Sequence, residues 1–60
     1  MVIGLAILRL MAEGKTTSAI AEGIFLSPET VKWYRKRLFA KFNVSNAPEL
    51  VRKATEAHLI

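Results

Sequence analysis

Three cap signals divide this chain into segments that can only be short helices. Thr16, Ser27 and Asn46 each precede a run with helical spacing, and the second and third are followed by a Pro and a Glu: Pro28 and Glu29, then Pro48 and Glu49. A Ser, Thr or Asn oxygen accepts an N–H of the first helical turn. Proline sits there at no cost in hydrogen bonds, and an acidic residue complements the positive helix end. Gly14 and Asn43 stand where a left-handed residue ends a helix, and Gly23 ends or loosens another. No run alternates with period two, so no strand is expected. The fold class is all-α, a compact four-helix domain.

Within these bounds the apolar residues fix each inward face. In the first segment Ile3, Ala6, Ile7, Leu10 and Met11 recur at helical spacing, while Val2, Leu5 and Leu8 lie off that stripe. Some of this surplus is expected to face another domain, a second subunit or a crossing helix. The second segment offers Ala19, Ile20 and Ile24. In the third, Val31, Leu38 and Phe42 fall on one side. The fourth is expected to run to Ile60 with Leu50, Val51, Ala54 and Ala57 as its stripe.

The 60 residues suffice for one small domain, whose core is marginal at this size. The absence of cysteine excludes disulfides and thiolate metal sites, and the single histidine, His58, makes a histidine metal site improbable; no metal or cofactor is expected. No nucleophile with a base, no paired acids and no phosphate-binding glycine loop is found, so no enzyme is expected. The apolar run from Met1 to Leu8 lacks a signal peptide's basic start and is far shorter than the roughly 20 residues of a membrane span. A cytoplasmic location with no membrane partner follows.

Nine Lys and Arg against five Asp and Glu leave a formal charge of +4. Position says more than the total: Lys32, Arg35, Lys36, Arg37 and Lys41 fall within ten residues, uninterrupted by an acid. A short helix, the apolar connection Ile24-Phe25-Leu26 and a strongly capped basic helix form the layout of a helix-turn-helix, whose second helix enters the DNA major groove. Lys32 and Lys36, four apart, share a face with Trp33 and Arg37 beside it, while Val31 and Leu38 point inward. Trp33 is therefore expected at least partly exposed, where it can meet thymine methyls or sugars. Lysine suits the guanine O6 and N7 acceptors, and hydroxyls at Thr30 and Tyr34, with the backbone N–H groups near Ser27, suit phosphate. Tyr34 has a second reading, with its ring on the core and only its hydroxyl outside.

The stretches Ala12-Glu13-Gly14, Ile20-Ala21-Glu22, Phe25 to Trp33 and Lys41-Phe42-Asn43-Val44-Ser45-Asn46 resemble the LuxR-type (GerE-like) domain of bacterial transcription regulators. The resemblance covers nearly the whole chain, and Leu26 to Trp33 is its most specific part. It implies sequence-specific binding of double-stranded DNA by a helix-turn-helix whose third helix, about residues 28–42, reads the groove. Carried over by position, Lys32, Trp33 and Lys36 would face bases, while Ser27, Thr30, Tyr34, Arg37 and Lys41 would contact the sugar–phosphate backbone. The fourth helix would form a homodimer, with Val51, Ala54 and Leu59 as interface candidates. Such domains usually follow a regulatory domain, and the abrupt start at Met1 implies a fragment or truncated product lacking it. The sequence departs from the family at Met1-Val2-Ile3-Gly4, where a Thr-x-Arg-Glu-like motif is usual. It departs again at Thr17-Ser18-Ala19, where Asn-Lys-Glu is usual, and at Tyr34, where histidine is common.

Two other classes remain. A protein-interaction or dimerisation module could keep this fold without DNA binding, docking a partner on the apolar first helix. A helix bundle on an anionic membrane surface would use the charge and the Met1–Leu8 run, but an inward-facing stripe interrupts its basic helix.

Overall fold

The computed structural model describes residues 3–60; Met1 and Val2, and with them the start of the apolar run, lie outside. Helix α1 spans Ile3–Ala12, α2 Thr17–Ile24, α3 Pro28–Phe42 and α4 Ala47–Glu56, with no strand among the described residues. The three expected N-caps form. Thr16 Oγ1 accepts the N–H of Ala19 at 3.1 Å, Ser27 Oγ that of Thr30 at 3.2 Å, and Asn46 Oδ1 that of Glu49 at 3.0 Å.

All four helices end in the same way. One residue takes the left-handed backbone, and the next N–H reaches back five residues to a helix carbonyl, satisfying a group the helix itself cannot pair. The turning residues are Gly14 (φ 82°), Phe25 (φ 58°), Asn43 (φ 55°) and His58 (φ 60°). The bonds are Lys15 N–H to Leu10 O at 3.1 Å, Leu26 to Ala21 at 3.0 Å, Val44 to Phe39 at 3.0 Å and Leu59 to Ala54 at 2.9 Å. Gly14 and Asn43 do what their chemistry predicts. Gly23 does not end α2: the helix continues through Ile24, and Phe25 makes the turn. Likewise α4 stops at Glu56 rather than Ile60, with the turn at His58.

Both α1 and α3 touch all three other helices, whereas α2 and α4 make no contact with each other. The core is Ile7, Leu8, Met11, Ile20, Ala21, Val31, Leu50 and Ala54. The expectations at Ala19 and Ala57 need correction, whereas Leu8, off the single stripe, is 1% exposed because α1 faces three neighbouring helices, the crossing-helix contact that its apolar surplus predicts. Gly4 faces α3 with room to spare, since a β-carbon there would lie 4.0 Å from Leu38, an ordinary contact distance. Ala19 is exposed while Ala21 is buried, and Ala57 is exposed beyond the end of α4.

Candidate nucleic-acid interface

Helix α3 carries the candidate site, and its sequence divides cleanly by face. At about 100° per residue, Val31, Tyr34, Arg35, Leu38, Phe39 and Phe42 fall on one half of the helix, and all are buried or half-buried. Lys32, Trp33, Lys36, Arg37 and Lys41 fall on the other half and are exposed, with Glu29 and Ala40. Lys32/Lys36 and Trp33/Arg37 are both four-residue pairs, so a lysine edge and an aromatic–guanidinium edge run side by side along the helix.

The second edge is a cluster of contacting side chains. The Arg37 guanidinium lies over the Trp33 ring, 4.7 Å from its centroid. Tyr34 meets Trp33 edge to face, with centroids 5.0 Å apart and planes at 89°. Trp33 is 53% exposed, as its place outside the inward stripe requires. Stacking occupies the face of the guanidinium and leaves its N–H edge free to donate to an anion. Tyr34 itself is half-buried and packs against the core, the second of its two readings.

At the N-terminal end Ser27 Oγ and Thr30 Oγ1 lie 2.9 Å apart. That bond uses one of the two hydroxyl protons and leaves the other available. Together with the unpaired N–H groups and positive dipole of the helix start, this end suits a phosphate oxygen.

Arg35 does not join the outward cations. It is half-buried, and its Nη1 donates to Thr17 Oγ1 at the start of α2, with the guanidinium 5.9 Å from the Phe39 ring centroid. It therefore ties the two helices of the helix-turn-helix together. Its position four residues after Val31 was the available signal, since it puts Arg35 on the inward half. Lys53 is a second cation with a structural partner: its Nζ donates to the Phe42 carbonyl at 3.0 Å, at the negative end of α3.

The dimer candidates divide. Ala54 is 0% exposed in the core, so it offers no surface to a second subunit. Val51 is half-buried and Leu59 is 42% exposed. Among the described residues no group of three His, Cys, Asp or Glu could hold a metal, and no helix is long and apolar enough to cross a membrane.

A cationic, capped helix set on a short partner helix is shared by many proteins, and comparison with known families decides between them. Residues 5–54 match the family of bacterial regulatory proteins of the luxR type. The chain belongs to that family. Its relatives include the virulence-factors transcription regulator BvgA of Bordetella pertussis, 38% identical over 55 residues, which are 92% of this chain and 26% of BvgA. The oxygen regulatory protein NreC of Staphylococcus carnosus is 38% identical over 56 residues, 93% of this chain and 26% of NreC. The HTH-type transcriptional regulator AlkS of Alcanivorax borkumensis is 34% identical over 55 residues, 92% of this chain and 6% of AlkS. The chain thus spans about a quarter of the length of BvgA and NreC and a much smaller share of AlkS. No solved structure gave a significant match.

Proposed function

We propose that this chain binds double-stranded DNA sequence-specifically, with α3 in the major groove. Lys32, Trp33 and Lys36 face base edges, and Ser27, Thr30, Tyr34, Arg37 and Lys41 face the sugar–phosphate backbone. The observation that carries the reading is the outward half of α3. Four exposed cations and a stacked tryptophan occupy it, on a helix-turn-helix of a family whose named relatives are transcription regulators. A lysine donates readily to the O6 and N7 acceptors of guanine, and the remaining cations release counterions from the phosphates.

The share of the relatives' length covered supports a further step: the domain is the DNA-binding part of a longer regulator. A homodimer matching a two-fold site would use half-buried Val51 of α4 and exposed Leu59 just beyond its end.

The test is an amide NMR titration with a mixed-sequence palindromic duplex at low salt, repeated at higher salt. Shifts concentrated from Ser27 to Lys41 that fade as salt rises are expected, because phosphate neutralisation makes affinity salt-dependent. A folded sample that stays flat at both salts would show a fold retained without DNA binding.

A further inference from the structure

Phe25 stands out in the described structure. It is 93% exposed, the most exposed of the large hydrophobic side chains, and its φ of 58° lies in the left-handed region that a β-carbon disfavours. Glycine or asparagine would make the same turn more easily, and the end of α3 uses Asn43 for that purpose. Backbone and side chain are thus both placed unfavourably at one residue. Such an outlier motivates a search for the contact that compensates it.

The position narrows what that contact is. Phe25 lies in the turn between the two helices, two residues before the Ser27 cap, so its Cα is within about 7 Å of the α3 start. Between Lys15 and Lys32 there is no Lys or Arg. Any contact made by this turn with a duplex is therefore non-ionic, and Phe25 is the one large exposed apolar group there. The deoxyribose face, rich in C–H groups and lining the groove next to each phosphate, matches a bare phenyl ring in chemistry and in place.

We propose that Phe25 packs on a deoxyribose of the backbone at the lip of the groove that α3 enters, as a sequence-independent apolar anchor. The inference rests on the reading of α3 as the DNA-binding helix. It assigns the turn a contact of a different kind from those of the cations: binding energy without counterion release.

The test uses a random-sequence duplex of about 20 base pairs, long enough for one domain, and three variants: Phe25→Gly, Phe25→Asn and Phe25→Tyr. Thermal melting is measured beside affinity across a salt series. The Gly and Asn variants are expected to melt at or above the temperature of the parent chain, because they relieve the backbone. They are also expected to bind roughly fivefold to tenfold more weakly, the effect of losing part of one buried ring. The slope of log affinity against log salt stays unchanged, because no cation is lost, whereas loss of a phosphate-contacting lysine would lower it. Phe25→Tyr keeps the ring and retains parental affinity. Unchanged affinity in Gly and Asn variants that remain folded overturns the anchor and leaves α3 binding intact, with Phe25 free for a protein partner. If the parent chain itself fails to bind the duplex at low salt, the α3 reading falls first and the anchor with it.

Discussion

The turn into α3 and the turn out of it are built on one backbone plan. Each has a left-handed residue, an N–H reaching back five residues, a polar cap, and a proline and a glutamate in the next first turn. Their side chains differ in what they are spent on. On leaving α3, Asn43 makes the left-handed turn at little cost, and Lys53 donates to the Phe42 carbonyl. Glu49 then reaches back to accept the Ser45 N–H at 3.2 Å, while its own N–H is capped by Asn46. On entering α3, a bulky exposed phenylalanine makes the turn. The position equivalent to Glu49 is Thr30, whose hydroxyl pairs with Ser27 and leaves a proton free. The exit turn pairs Asn46, Glu49 and Lys53 with backbone groups, whereas the entry turn leaves one hydroxyl proton of its Ser27–Thr30 pair unused.

This difference predicts that two lysines will behave in opposite ways. Lys36 on the outward half of α3 has no assigned structural partner, whereas Lys53 binds the end of α3. Lys36→Ala is expected to lose roughly 1–3 kcal/mol of affinity for a preferred site and little stability. Lys53→Ala is expected to lose roughly 0.5–1.5 kcal/mol of stability, the net worth of one hydrogen bond, and little affinity per folded molecule. Urea melts and DNA titrations of both variants separate the cases. A Lys36 variant that loses stability and keeps its affinity would break the contrast.

The caps provide a finer comparison. Replacing Ser27 or Asn46 by Ala removes the same kind of first-turn bond, at about 0.5–2 kcal/mol of stability each. Only Ser27→Ala is expected to weaken DNA binding as well, since only that hydroxyl pair lies beside the outward face of α3. Equal DNA affinities for the two folded variants would remove Ser27 from the backbone contacts.

What could be read in the sequence follows the same division. Thr16, Ser27, Asn46, Gly14 and Asn43 were legible because a cap is local chemistry: the residue type and the few residues after it decide the outcome. The inward half of α3 was legible because Val31, Leu38 and Phe42 keep one helical spacing. Phe25 was not, because nothing in a phenylalanine side chain favours a positive φ; His58, of a type met more often at positive φ, was hidden because the expected helix runs on to Ile60. Leu8 lies off the single stripe, and of the surfaces its surplus could meet the structure supplies crossing helices, since α1 has three neighbours. Ala54 lies in the core, where its apolar stripe puts it, and not at the dimer surface for which the resemblance also named it. Arg35 belongs to the basic window by charge, although its spacing from Val31 turns it inward to Thr17. The roles of Lys32, Trp33 and Lys36 at base edges rest on the family resemblance together with their exposure, and DNA binding data decide them.

The smallest effects expected concern two glycines, one before α2 and one within it, and they test whether α2 is merely a strut. Gly14 has φ 82°, so a β-carbon there is strained even though nothing crowds it within 4 Å. Gly14→Ala is expected to destabilise the domain by roughly 1 kcal/mol. Gly23 lies inside α2 without a positive φ, is exposed, and has equally open space around it. There the added methyl removes only the excess freedom of the unfolded chain, so Gly23→Ala should stabilise by about 0.5–1 kcal/mol. Because that methyl points to solvent beside the entry turn, DNA affinity measures how close α2 comes to the duplex. A stabilised Gly23→Ala variant with unchanged affinity makes α2 a support for α3. A stabilised variant with weakened binding would bring the outer face of α2 into the interface, extending it beyond the α3 residues and Phe25.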